Sequence, residues 1–428
     1  LPPAGSFFCE RSRRPNARRR SRRPPKMKTS LPRPSAGRVA ELDGLRGVLA
    51  LWVAVAHVLL WCGFAEAPFG GRAGRFFITL VYSPEAVEVF FILSGFAISY
   101  LIYSQKQGFG SFMTGRFFRI YPVYLLCLAL GVGAAWLTGF ILDHASWRET
   151  SYFDGLRMLA DNEQARPTAH LAAHLGLAHG VFPQTVLPGG AATLLVPAWS
   201  ISVEWQYYTC ALLIAFCSRH ALGLLLLAGG CWFAARHGAA WINPLPAFLP
   251  LVLPFFLIGI GSYHLYVAHF AKGGGRSRRN ARYVAVALAG AILLQWHSLS
   301  LAIWIVAFGS LFVEPSRGFG RILVVARRIL GHPVTQFLGK ISYPLYLVHW
   351  PLLILLLTIL LHYRPNASAF EAAGWMTLVG IPLMLAAGYL LHRTIEAPFM
   401  QLGRRLTRPA ARTDRDTPVA ITPAISPP

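Results

Sequence analysis

The chain has 428 residues, of which 55% are hydrophobic and only 13% are charged, and its mean hydropathy is +0.48. Soluble globular chains usually carry about a quarter charged residues, so this composition excludes an ordinary water-soluble fold and indicates a membrane protein. The formal net charge of +23 would suit nucleic acid binding, but the basic residues concentrate in an N-terminal tail and in short loops between apolar runs. The charge therefore indicates membrane topology, and we expect no nucleic acid partner.

The apolar runs predict an all-α membrane helix bundle of about ten transmembrane helices, because a spanning helix needs roughly 20 mostly apolar residues. They lie at about 42–63, 80–103, 117–141, 197–217, 220–236, 244–267, 282–296, 298–314, 341–361 and 373–395. We expect a transmembrane domain over 41–400, a basic disordered tail at 1–40 and a disordered tail at 401–428. Residues 1–26 could lie upstream of the true start, since Met27 opens a more ordinary beginning.

Lysine and arginine are distributed unevenly between the two predicted sides of the bundle. With the N-terminus in the cytoplasm, most of the 40 basic residues fall on the cytoplasmic side, as the positive-inside rule requires. We therefore predict cytoplasmic termini and one long external loop at 142–196. His170 and His174 in this loop have no third ligand at a clear spacing, so we expect no metal.

The first two predicted helices carry ionisable residues, which are costly in lipid and indicate function. Arg46 and His57 are 11 residues apart, so they share one helix face at a separation of about 16 Å along the axis. Asp43 lies one turn before Arg46, and Glu88 lies in the second helix. We predict that these four residues form a catalytic group. The alternatives are that Arg46 only anchors its helix at the membrane surface, and that His57 and Glu88 are only hydrogen-bonded residues packed between helices.

The third predicted helix begins with Arg116-Phe117-Phe118-Arg119 at the cytoplasmic side. Two guanidinium groups at this spacing lie on one helix face and suit a phosphorylated ligand. Arg116 and Arg119 are therefore predicted to bind the donor, although positive-inside anchoring would also explain such a pair.

Aromatic and hydroxyl side chains surround Glu204 in the segment Pro197 to Tyr208, and His349 lies in the ninth predicted helix. Aromatic rings beside a carboxylate are a usual way to hold a sugar, so we predict that Trp199, Glu204 and His349 bind an acceptor near the external side. An interfacial aromatic belt is the alternative.

Taken in order, these motifs resemble the acyltransferase 3 family, bacterial membrane acyltransferases that O-acylate surface polysaccharides and related glycans. The motifs are Leu42-Asp43-Gly44-Leu45-Arg46-Gly47 with His57, Phe90 to Phe96, Arg116-x-x-Arg119, Trp199 to Glu204, and Ile341 to Pro351. The resemblance implies ten spanning helices, both termini in the cytoplasm, acyl-CoA as a co-substrate without any cofactor, and Arg46, His57, Arg116 and Arg119 as key positions.

The chain departs from the family pattern in two ways. Many members have two consecutive carboxylates where this chain has only Glu204, followed by Trp205. Many members that acylate O-antigen also carry a C-terminal periplasmic esterase-like domain. We therefore expect a stand-alone form here, which leaves room for a periplasmic partner protein.

We expect a multi-pass protein of the bacterial inner membrane that moves an acetyl or similar group from cytoplasmic acyl-CoA to a hydroxyl of an extracytoplasmic glycan or glycolipid. His57 would act as a general base or as the nucleophile of an acyl-histidine relay, and the sequence does not separate these routes. A membrane carrier or flippase for a glycan or acyl group is the alternative function, and a purely structural subunit is a third.

Overall fold

The computed structural model describes residues 39–66, 70–104, 108–238, 245–270, 298–312 and 320–407. Every regular element in these ranges is helical, which confirms the all-α prediction. The predicted helix at 282–296 and most of both predicted tails lie outside the described residues.

The helices in chain order are α1 (Ala40–Trp61), α2 (Gly71–Tyr82), α3 (Pro84–Ser104), α4 (Phe109–His144), α5 (Ser151–Ala165), α6 (Pro167–Leu175), α7 (Ala198–Cys217), α8 (Ala221–His237), α9 (Leu249–Phe270), α10 (Ser298–Gly309), α11 (Gly320–Leu330), α12 (Pro333–Tyr363) and α13 (Ala369–Leu406). Within the described ranges, six of them are long and apolar enough to cross a membrane, namely α1, α3, α4, α9, α12 and α13. The count of ten spanning helices remains a prediction.

Prolines set several boundaries that the apolar runs alone did not locate. Pro84 opens α3, because its fixed φ suits the first turn of a helix and it lacks an N–H that this turn would leave unpaired. The preceding Ser83 has a left-handed φ of 50°, so α2 and α3 are separate helices. Pro333 similarly opens α12 eight residues before the predicted start at 341, after His332 has capped Val334 N.

Helix α12 lies at the centre of the bundle, in contact with α1, α4 and α13. It runs parallel to α1, because Asp43 meets Gly339 near the start of both helices and His57 meets His349 ten or more residues further along. Glycines permit the approach, since a Cβ on Gly47 would overlap the backbone of Gly339. Small residues at such crossings let membrane helices pack closely.

A second glycine contact joins α3 to α9. A Cβ at Gly95 would overlap the carbonyl of Phe256, and one at Gly259 would overlap the carbonyl of Ile92. The two helices therefore pack closely at Gly95 and Gly259. This contact holds the Ser94 side of α3 toward the interior.

The final helix, α13, includes two π-helical turns, Met376–Gly380 and His392–Glu396. It continues to Leu406, six residues past the predicted domain boundary at 400. Single π-turns inside α-helices often mark functional sites, and the second one buries Glu396.

Candidate active site

A cavity lies inside the bundle among α1, α3, α4, α7 and α12. Including its open mouth, it encloses about 700 Å³. Its wall combines charged and hydroxyl-bearing side chains with an apolar remainder. The polar wall residues are Arg46, Ser94, Arg116, Arg119, Ser200, Glu204, Tyr208, Ser342, Tyr343 and Tyr346, and the apolar ones are Phe90, Phe91, Ala97, Ile98, Ile120 and Ile201.

Three arginines converge on this cavity from two helices. Arg116 and Arg119 lie one turn apart on α4, and Arg46 reaches the same space from α1. The guanidinium carbon of Arg116 lies 5.7 Å from the ring centre of Tyr208, a cation–π distance that keeps the side chain in place. The sequence predicted Arg46 in a catalytic group and the α4 pair in a donor site, and the structure brings all three together.

Glu204 lines the same cavity and accepts a hydrogen bond from the hydroxyl of Ser94. The sequence predicted that Glu204 and Trp199 act together in an acceptor site, but only Glu204 lines this cavity. Residues five apart on a helix point about 140° away from each other. Trp199 therefore does not line the cavity but packs against Phe91, with ring centres 5.8 Å apart.

Two hydroxyl groups in the cavity wall lie close together. The hydroxyls of Ser200 and Tyr346 lie 2.8 Å apart, and the ring of Tyr346 is 6.1 Å from that of His349. Tyr346 therefore lines the cavity and also lies next to a pair of histidines.

Those histidines are His57 on α1 and His349 on α12. Nδ1 of His57 lies 2.8 Å from Nε2 of His349, and Trp350 meets the ring of His57 edge-on at 5.3 Å. His349 is completely buried, whereas His57 keeps some accessible surface. The sequence predicted a role for each residue but did not pair them.

Asp43 and Glu88 complete the predicted catalytic group. The charge of Asp43 acts on Arg46 and Arg119. Glu88 is buried in α3 and is not among the residues lining the cavity. The hydrogen bond on Nδ1 of His57 goes to the imidazole of His349.

Sequence reasoning assigned no role to Tyr208, Ser200, Tyr346 or Glu396. Glu396 lies 2.7 Å from Nδ1 of His392, and its charge acts on Arg119 from behind the cavity wall. The signal available in the sequence was the carboxylate in Arg393-Thr394-Ile395-Glu396, but an α-helical projection could not place it because a π-turn shifts the register.

The segment 142–196, which the sequence predicted to be an external loop, is folded. His170 and Thr193 lie 3.0 Å apart, Tyr124 of α4 donates to the carbonyl of His174 at 2.9 Å, and the rings of His174 and His179 stack at 3.9 Å. Burial lowers the pKa of all three histidines, that of His179 to about 4. In the described residues no cluster of His, Cys, Asp or Glu has the arrangement of a metal site.

This fold and site define a class: a multi-pass helical membrane protein with a cationic internal cavity beside a histidine pair. Residues 39–393 match the acyltransferase domain of the acyltransferase 3 family, and the chain belongs to that family. It is 25% identical over 413 residues to "Acyltransferase MdmB" of Streptomyces mycarofaciens, covering 88% of this chain and 95% of the relative. It is 32% identical over 167 residues to "Protein 2 in picA locus" of Rhizobium radiobacter, and this match covers 38% of this chain and 75% of the relative. No solved structure matches.

Proposed function

We propose that this protein is an inner-membrane O-acyltransferase that uses cytoplasmic acyl-CoA to acylate a hydroxyl of an extracytoplasmic glycan or glycolipid. The observation that carries the proposal is the convergence of Arg46, Arg116 and Arg119 on a cavity whose inner end approaches His57 and His349. Such a site offers an anion-binding mouth and a proton acceptor, which are what a phosphorylated thioester donor requires.

We assign ten spanning helices with both termini in the cytoplasm. Large apolar side chains support this for α7 and α8, because Phe216, Leu225 and Trp232 are exposed in the isolated chain. Exposed apolar surface of this extent indicates contact with lipid. The positive-inside distribution then puts the start of α4, and with it Arg116, on the cytoplasmic side.

The donor binds with its phosphates at the three arginines. Guanidinium groups form forked, charge-assisted hydrogen bonds with phosphate oxygens, and three of them outnumber the single carboxylate of Glu204 in the cavity wall. The thioester then extends along the apolar wall toward Tyr346. Acyl-CoA is a co-substrate in this scheme, and no bound cofactor is needed.

The reaction is a base-assisted attack on the thioester. Nε2 of His57 takes the proton of the acceptor hydroxyl while the oxygen attacks the thioester carbonyl carbon. The C–S bond then breaks, and the leaving thiolate takes the proton from His57. The products are an ester and free CoA. A positioned base of this kind contributes roughly 10²–10⁴ in rate.

Glu204 orients the acceptor hydroxyl within the cavity, and Trp199 contacts the sugar on its way in from the external side. Family membership supports an O-linked glycan acceptor and an acetyl or similar acyl group. A periplasmic partner protein that completes delivery of the group is compatible with this scheme. An acyl-histidine relay on His57 would use the same nitrogen and a second transfer step.

Proteoliposomes containing only the purified protein test this function. Acetyl-CoA with a labelled acetyl group is added together with a panel of nitrophenyl glycosides, and labelled ester and free CoA are measured. We expect equal amounts of both products. Release of CoA without ester would leave only hydrolysis, and movement of an unmodified glycan across the bilayer without either product would favour a flippase.

A further inference from the structure

We propose that His349 is a positioning residue that fixes the tautomer of His57, so that the proton of the His57 ring stays on Nδ1 and the lone pair stays on Nε2. This inference rests on the proposed function for its catalytic meaning. Its structural content, the position of one proton, stands independently.

The proton positions follow from a chain of hydrogen bonds that begins at a backbone carbonyl. Nδ1 of His349 lies 3.1 Å from the carbonyl oxygen of Leu345. A carbonyl oxygen can only accept, so Nδ1 of His349 carries the proton. In a neutral imidazole the other nitrogen is then an acceptor, and Nε2 of His349 must accept from the nitrogen facing it.

The facing nitrogen is Nδ1 of His57, at 2.8 Å. It therefore carries the proton of the His57 ring and leaves Nε2 as the basic atom. One helix carbonyl thus determines, through two rings, which nitrogen of His57 can take a proton from substrate.

The ring geometry shows that this is a directed hydrogen bond rather than a stacking contact. The ring centres are 5.1 Å apart and the planes differ by 12°, while the two nitrogens are 2.8 Å apart. A ring nitrogen lies about 1.1 Å from its own ring centre, and a hydrogen bond is strongest when straight. The centre-to-centre distance therefore equals the bond plus two ring radii, so the rings lie nearly end to end in one plane.

Burial separates the roles of the two histidines. His349 has no accessible surface and is enclosed by its neighbours on α12 and by His57, whereas His57 keeps accessible surface. Of the two rings, only that of His57 therefore has surface left for a substrate to contact. Catalytic bases are commonly oriented by a third group in this way, and here that group is a neutral imidazole instead of a carboxylate.

Two substitutions of similar length separate the proton-fixing role from simple packing. His349→Gln keeps a strong oxygen acceptor near the former Nε2 position, whereas His349→Met offers only a weak sulfur acceptor. At saturating acetyl-CoA we expect His349→Met to lower the transfer rate about 100-fold and His349→Gln to stay within about 10-fold of the native protein. The dissociation constant for acetyl-CoA should not change in either variant.

A double variant tests whether His349 acts through His57. Groups that act as a unit are not additive, so adding His349→Met to His57→Ala should cause no further loss of rate. A further loss of 10-fold or more, or equal losses in the Gln and Met variants, would overturn the inference.

Nitrogen-15 NMR of histidine-labelled protein in bilayers reads the proton position without any activity. The His57 signals are those that disappear in His57→Ala. We expect a protonated Nδ1 and an unprotonated Nε2, and the reverse assignment would overturn the inference even if the enzyme is active. If the native protein transfers no acyl group, the proposed function fails while this measurement still decides the tautomer. It also decides the matter if His349→Met does not fold.

Discussion

Gly47 of α1 and Gly339 of α12 lie backbone against backbone, with no room for a methyl group between them. This contact sets the distance between the helix that carries Arg46 and His57 and the helix that carries His349. The proposed catalytic geometry therefore depends on two residues that have no side chain.

Replacing Gly47 by alanine should push α1 away from α12. Forcing an extra carbon into a packed contact typically costs about 1–3 kcal/mol, and the shift would also lengthen the bond from His57 to His349. We expect a lower thermal midpoint in detergent and a loss of transfer. Gly374→Ala is the matched control, because its Cβ would meet nothing within 4 Å. Equal behaviour of the two variants would show that the close crossing is unimportant.

Replacing Arg116 and Arg119 together by glutamine should weaken acyl-CoA binding. Each hydrogen bond to a charged group contributes about 1.5–3 kcal/mol, so we expect at least a 10-fold higher dissociation constant by calorimetry. Arg328→Gln is the control, since this arginine lies on α11 and does not line the cavity. Unchanged affinity of the double variant would reduce the α4 pair to membrane anchors.

Replacing Glu204 by glutamine should separate donor binding from transfer. The carboxylate shares the cavity with three arginines, so its removal takes away a negative charge that repels phosphate. We expect acyl-CoA affinity to be maintained or increased, while the transfer rate falls because the acceptor hydroxyl loses its orienting partner. Ser94→Ala, which keeps the carboxylate, should bind the donor normally. A large loss of donor affinity in Glu204→Gln would contradict this assignment.

The folded segment at 142–196 should lose stability as the pH falls from about 6.5, the ordinary pKa of histidine, toward 4. Burial lowers the pKa of His170, His174 and His179, the last to about 4, so the unfolded segment binds more protons in this window. Protons then favour unfolding. Burial raises the pKa of Glu163, so this carboxyl group makes the folded segment more stable as the pH falls. It is a single group, however, whereas three histidines have the opposite effect.

Thermal midpoints between pH 7.5 and 4.5 check this dependence. His179→Phe preserves the aromatic contact with His174 and removes one titrating ring, so it should reduce the loss of stability at low pH. His144→Phe, at an exposed position, should follow the native profile. A native midpoint that does not change with pH would contradict the assignment of neutral buried histidines.

The sequence predicted an all-helical membrane protein and identified the arginines and Glu204 of the cavity wall, because apolar runs and buried charges are local signals. Arg46, Arg116 and Arg119 were each identified from their own helices, but their convergence depends on the glycine crossings. The pairing of His57 with His349 spans 292 positions and has no local pattern. Glu204 and Trp199 were grouped by their nearness in sequence, but five residues along a helix change the face, and only Glu204 lines the cavity. Glu396 was missed because a π-turn shifts the helix register.

The central claim is that His57 is the base or nucleophile of an acyl-CoA-dependent transfer, and one measurement tests it most directly. Native and His57→Ala protein, each reconstituted alone, are compared for acetyl-CoA binding and for labelled ester formed with a glycoside acceptor. We predict equal acetyl-CoA affinity and a loss of at least about 100-fold in ester formation for His57→Ala. Near-native ester formation by folded His57→Ala protein would contradict the claim and leave His57 as a packing residue.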